Sequence, residues 1–386
     1  MVNPRKTRLS AKLRRAPTRY EPVKRLAAGG MAEVWKTRAV LETGESYFVA
    51  IKRILPELSQ QELYRSMFED EARLGMLLRH PNVVRVYDAR EVGDAFIMVM
   101  ELVDGTSLKS LLDRAHARGA CMPVAAALHV TRQLALGLDY AHLATDAKGN
   151  HLGIIHRDVS PHNVLLSRGG AVKLADFGLA DASVHQTMQS EELVGGKFGY
   201  LAPETVLQKP ADHRIDIFAA GIVLWEMLTG RRLFQGSDDG ITVRNVVRQT
   251  IEPVSRYNSS VTPEVDALVA RTLDRNPERR IRSAAALVEA VDGVLASLDP
   301  RVGARDVALL VGLHLARGMT APPPPRSPSD LLAELDAFVE ASVDVEFDLG
   351  AAPLDPSQFA SLLQQPASGV RPMPADEADD GDGFGS

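Results

Sequence analysis

The sequence predicts an α+β fold in two unequal lobes, a small β-rich one followed by a larger, mainly α one. Three observations carry that expectation. Between Tyr20 and Leu102 short apolar runs alternate with turn signals, and one stretch of helical spacing interrupts them. Beyond Leu108 the apolar residues recur at helical spacing in one stretch after another. Among those stretches lies IIHRDVSPHNVLLSRGGAVKLADFG, residues 154–178. Its two apolar runs flank Arg168-Gly169-Gly170 and predict a short β-hairpin.

Residues 1–19 hold seven Lys or Arg and no acid, and read as a basic, disordered leader. Strands are expected at 20–26, 33–39 and 47–54, with turns at Ala28-Gly29-Gly30 and Glu42-Thr43-Gly44. Residues 60–78 form the expected helix, because Leu63, Met67, Leu74 and Leu78 share one side. Strands at 83–89 and 95–102 complete a small lobe, 20–102, of five strands and one helix. Glu101-Leu102-Val103-Asp104-Gly105 is then the link to a large lobe over 106–298.

In the large lobe, helices are expected at 108–117, 124–143, 215–228, 243–250, 263–273 and 283–298. The second is rich in alanine and leucine, as a buried helix should be. Residues 302–317 give one more helix within an extension spanning 299–319. The run 321–326, APPPPR, is polyproline-like and opens a Pro-rich, acidic, disordered tail over 320–386. Within that tail, 331–341 reads as a short amphipathic helix with Leu331, Leu335 and Phe338 on one face.

The hairpin at 164–174 brings Asp158, Asn163 and Asp176 together on the loops at its two ends. Carboxylates and an amide gathered in this way suit Mg²⁺, which takes the rest of its shell from waters and phosphates. Asp158 is left to orient a hydroxyl nucleophile.

His156-Arg157-Asp158 with Asn163, then Asp176-Phe177-Gly178, then Ala202-Pro203-Glu204, resembles the motif set of eukaryotic-type protein kinases, in order and at family spacing. The wording HRDVSPHN, with GKFGY further on, is similar to bacterial serine/threonine protein kinases of the myxobacterial kind. The resemblance implies the two-lobed protein kinase fold, ATP and Mg²⁺ as cofactors, and transfer of the γ-phosphoryl group to Ser or Thr of protein substrates in signal transduction. It implies that Lys52 of Val49-Ala50-Ile51-Lys52 holds the α- and β-phosphates and that Glu71 orients it. Asp158 is the implied base or orienter, and Asn163 and Asp176 the metal ligands. The nucleotide would lie among Leu26, Gly29, Gly30, Val34 and Ala50, with its adenine edge on the backbone of Glu101 to Val103. Asp216 would anchor the catalytic loop, and Glu204 and Arg280 would form a buried ion pair.

Three departures stand out. The phosphate loop, Leu26 to Val34, keeps one glycine of the family's three, with Ala27 and Ala32 at the outer positions. Ser160 stands where a lysine is usual, and Lys197 where a threonine is. Lys197 is accordingly a candidate replacement for the missing cation at the site. The rival readings are a pseudokinase, binding ATP or acting as a scaffold, and a small-molecule kinase. The latter is disfavoured by Ala202-Pro203-Glu204.

A net charge of −6 gives no pull toward nucleic acid. The lone Cys121 permits no internal disulfide, which suits a reducing cytosol. No apolar run approaches the roughly 18 residues of a membrane span. The expected setting is therefore the cytoplasm.

Overall fold

The computed structural model describes residues 17–29, 31–92, 95–146, 148–177, 198–316 and 335. Five strands form one antiparallel sheet. They are β1 (Arg19–Ala28), β2 (Ala32–Val40), β3 (Ser46–Ile54), β4 (Val86–Val92) and β5 (Ala95–Glu101), in the order β1-β2-β3-β5-β4, with β-branched and aromatic residues most frequent in β3. The pleat sorts alternate residues to opposite faces. Ala50, Ile54, Met98 and Met100 pack with Phe68 and Ala72 of the helix α2 (Glu62–Leu77), which follows the short α1 (Pro56–Ser59). Val49, Ile51, Ile97 and Val99 form a second apolar cluster on the other face, with Tyr20 and Trp35. Burial on both faces explains why β5 reads as an unbroken apolar run, AFIMVM, up to its last residue Glu101.

The link from β5 runs into β6 (Gly105–Ser107), which pairs with β7 (Val164–Ser167), and β7 pairs with β8 (Val172–Leu174). The expected hairpin is thus the larger part of a three-stranded sheet. β6, Gly-Thr-Ser, carries no apolar residue that would mark it as a strand. The helices are α3 (Leu108–His116), α4 (Val124–His142), α5 (Pro203–Val206), α6 (Arg214–Thr229), α7 (Asp239–Arg248), α8 (Pro263–Thr272), α9 (Ala284–Leu298) and α10 (Ala304–Ala316). Ser107, Asp238 and Ser283 cap α3, α7 and α9, each side chain accepting a backbone N–H from the first turn. Every residue from Ile215 to Leu228 of α6 is buried, so this helix is the centre of the large-lobe core. It ends at Gly230, whose φ of 66° and closeness to Ala120 O, 2.2 Å from where a Cβ would lie, admit only glycine.

Several boundaries differ from expectation: Arg19, assigned to the leader, opens β1, the helix expected at 243–250 runs over Asp239–Arg248, and the short α1 adds a second helix to the small lobe. The strand expected at 83–89 begins at Val86, because Val83 forms a bridge to Leu174 and ties the two lobes instead. Leu335, which the sequence places in a disordered tail, is helical and fully buried in the outer cluster of the small lobe. The tail's expected disorder does not extend to that residue, which belongs to the amphipathic stretch expected at 331–341 and has a sheet face to pack on. No helix among the described residues is long and apolar enough to cross a membrane.

Candidate active site

Asp216, in the first turn of α6, is completely buried. Its Oδ2 accepts from His156 N at 2.8 Å and faces His142 Nε2 at 2.7 Å, and its Oδ1 accepts from Arg157 N at 2.8 Å. Burial alone would raise its pKa. Hydrogen bonding and charge from His142, together with His156, outweigh that and hold the carboxyl below its ordinary value. These bonds hold Arg157 in the left-handed region at φ 64°. Such a conformation costs a non-glycine residue about 1–3 kcal/mol, which charge-assisted hydrogen bonds of about 1.5–3 kcal/mol can offset.

His156 is fully buried, and burial lowers its pKa and keeps the ring neutral. One tautomer then satisfies both contacts. Nε2–H donates to Ala175 O at 3.0 Å, and Nδ1 accepts from Asp158 N at 3.2 Å. The ring also lies 4.4 Å from that of Phe177. His156 therefore joins the catalytic loop to the loop carrying Asp176.

Asn163 donates from Nδ2 to Asp158 Oδ2 and to Asp158 O, both at 2.9 Å. These bonds fix which way the amide points and present Oδ1, the atom a hard cation takes. Asn163 O accepts from Ala175 N at 2.8 Å, so the amide stands one residue from Asp176. Asp176 is held at φ 61° and reaches across to the small lobe.

Lys52 is the group it reaches. Lys52 Nζ lies 2.5 Å from Glu71 Oε1 and 3.0 Å from Asp176 Oδ1. Burial would pull the lysine pKa down, but Asp176 and Glu71 reverse this and hold it above its ordinary value. Burial pushes Glu71 up to about 8, with Lys52 opposing and Asp176 reinforcing the rise. Register explains the geometry. Lys52 pairs with Val34 and Met98 and so projects on the α2 side of the sheet, where Glu71 is buried. Two carboxylates, Glu71 and Asp176, converge on the one ammonium, and that formal excess of negative charge suits a divalent cation at Asn163 and Asp176.

Beside this polar end lies an apolar slot. Val34 and Ala50 from the small lobe, Leu165 from β7, and Met100, Leu102 and Val103 along the link belong to one cluster. Glu101, expected beside the nucleotide, sends its carboxylate to Lys173 Nζ at 2.9 Å. Leu26 on β1 is 47 % exposed, and Gly29 N–H closes a tight turn on Ala32 O at 2.9 Å. Gly30, Gly178 and Lys197 lie outside the described residues. Ser160 is fully buried, and its Oγ has no hydrogen-bond partner.

Below the site, Arg280 makes a bidentate pair with Glu204 at 2.7 and 3.0 Å, with side chains 0 % and 5 % exposed. Tyr200 OH donates to Glu226 Oε2 at 2.7 Å.

The protein kinase domain family matches residues 20–290, most of the chain and all of the geometry above. The chain belongs to the protein kinase family. Among curated relatives, this kinase-family chain is 33 % identical to the tyrosine-protein kinase MasK of Myxococcus xanthus, over 72 % of this chain and 43 % of MasK. It is 35 % identical to the probable serine/threonine-protein kinase SCO3848 of Streptomyces coelicolor, over 70 % of this chain and 39 % of that protein. The serine/threonine-protein kinase PrkC of Bacillus subtilis matches at 32 %, over 70 % of this chain and 40 % of its own length. The chain thus spans less than half the length of these relatives. Among solved structures, a single-substitution mutant of the Mycobacterium tuberculosis PknI kinase domain superposes with a TM-score of 0.53 at 25 % identity. That match covers 71 % of this chain and 94 % of the PknI domain. The kinase family uses ATP and Mg²⁺, and the donor set at Asn163 and Asp176 fits that metal.

Sequence reasoning missed His142, Leu165, Met100 and Ala175. Each acts through tertiary contact, and none stands in a spacing that marks it.

Proposed function

We propose that the chain is a serine/threonine protein kinase that transfers the γ-phosphoryl group of ATP to protein hydroxyls. The observation that carries the reading is Lys52 clasped between Glu71 and Asp176, because it brings groups from both lobes together at one ammonium. In this reading Lys52 would grip the α- and β-phosphates, and Asn163 and Asp176 would hold Mg²⁺, whose charge would offset that of the phosphates. Asp158, steadied by Asn163 Nδ2, orients the substrate hydroxyl. Val34, Ala50, Leu165 and the 101–103 backbone receive the adenine. Transfer needs little covalent help, so positioning supplies most of the rate.

The cytoplasm is the setting that an ATP-dependent enzyme with a lone cysteine fits. Lys197 remains the proposed replacement for the cation missing at Ser160. The test of the main reading is radiolabelled ATP with the purified chain and with Asp158→Asn, followed by phosphoamino-acid analysis. Phosphoserine or phosphothreonine in the first and none in the second is expected. Equal labelling, or none in either, overturns the reading in favour of a nucleotide-binding scaffold. Phosphotyrosine alone assigns the specificity named for MasK.

A further inference from the structure

The small-lobe face turned away from α2 and the cleft carries Tyr20, Trp35, Val49, Ile51, Ile97 and Val99, and none is more than 4 % exposed. A sheet face this apolar needs a cover. The distant residue in the cluster is Leu335, helical and 0 % exposed. One leucine cannot shield six large side chains from four strands. In the sequence, the apolar residues that share its helical stripe at i−4 and i+3 are Leu331 and Phe338. The sequence also supplies a helix start, Ser327-Pro328-Ser329-Asp330, with a capping hydroxyl, proline at the first position and an acid three residues on.

Charge points the same way. Residues 327–341 hold Asp330, Glu334, Asp336 and Glu340 and no base. Arg25, Arg53 and Arg90 register with Trp35 or Ile97 and so share their side of the sheet, where Glu33 pairs with Arg53 and Asp88 with Arg90, leaving an excess of one base among these five. The chain length suffices. Helix α10 is rooted beside the inter-lobe link, where His314 Nε2 lies 3.4 Å from Thr106 Oγ1 and 3.2 Å from Ser110 Oγ. Residues 317–334 between α10 and Leu335 can span up to about 60 Å.

We propose that residues 331–341 dock as an amphipathic helix on the outer face of the small lobe of the same chain, strapping the two lobes together across their link. Trp35 reports on this site, because its indole is buried among apolar groups and its Nε1 has no hydrogen-bond partner. In the full-length chain, Leu335→Asp is expected to shift tryptophan emission to longer wavelength and to lower Tm by roughly 4 °C or more. Leu309→Asp, at an exposed position on α10, is expected to change neither. Wild-type protein supplies an arm that needs no variant. A glutamate-specific protease should cut at Glu346 and Glu377 well before Glu334 and Glu340, and Leu335→Asp should abolish that order. Equal cutting in the wild type, or unaltered emission and Tm in Leu335→Asp, overturns the proposal. So does protection that disappears on dilution as a dimer dissociates in sedimentation, which would assign the helix to a second copy.

Discussion

Lys52 is the side chain on which both lobes converge, and its two carboxylate partners set what each substitution should do. Lys52→Met, Asp158→Asn and Asp176→Asn should each lower turnover by roughly a hundredfold or more without unfolding the protein. Phosphate transfer from labelled ATP, with circular dichroism on the same samples, checks this. Normal transfer in any one of them removes that residue's assigned role. Asp216 makes a different prediction. Its pKa is depressed in the folded state, so its stabilisation is present above the unfolded carboxyl value of about 3.9 and is lost as pH falls below it. Asp216→Asn should lower stability at neutral pH and flatten the acid limb of the stability curve. Urea midpoints measured from pH 7 down to 3 test it, and a limb as steep as in the wild type would refute it. These residues were legible in the sequence because phosphoryl transfer requires particular side chains in short contiguous motifs. His142 was not, because its bond to Asp216 depends on two helices meeting end to end.

Among the elements, the hairpin β7–β8 and the helices α4, α6 and α9 were legible from period and turn signals, and the three-residue β6 was not. The bidentate pair between Arg280 and Glu204 ties α5 to the segment between α8 and α9 with almost no solvent access. Removing one partner strands a buried charge, so Arg280→Ala should cost about 3–5 kcal/mol in denaturant titrations. Pairing it with Glu204→Gln should cost clearly less than the sum of the two single changes. Additivity would mean that the two side chains do not interact in solution. Between Asp176 and Glu204, Ser183, Thr187 and Ser190 lie outside the described residues, and phosphate on one of them could pair with Arg157. Thr187 is the first choice. Phosphopeptide mapping of active protein that leaves all three unmodified would refute control at this segment.

At the scale of the molecule, the two lobes are joined by the 101–105 link, by residues 82–84 against β8, by Asn82 on Gln133 of α4, and by the Glu101–Lys173 and Lys52–Asp176 pairs. Two-lobed architecture was legible because strand period gives way to helix period near residue 105. The covering of the outer small-lobe face was not, because the apolar stripe of 331–341 could be read from its spacing but not the distant surface on which Leu335 packs. Charge at the site gives the last substitution test. If Lys197 supplies the cation that Ser160 lacks, Lys197→Ala should lower turnover severely at saturating Mg²⁺-ATP, and an almost silent change would refute the idea. Ser160 is fully buried, so a lysine placed there must displace packed neighbours, and the single substitution is the cleaner test.

The burial of α6 along its whole length has a consequence for how the molecule breathes. Amide hydrogens in this helix can meet solvent only when the large lobe opens globally, so residues 217–228 should exchange with deuterium among the slowest in the chain. Asp216 sits at the start of that helix and holds the backbone of His156 and Arg157. Those two amides should inherit its slowness although they belong to a loop. Local fluctuations that loosen surface segments therefore leave the catalytic loop in place, and its geometry should fail only when the whole lobe does.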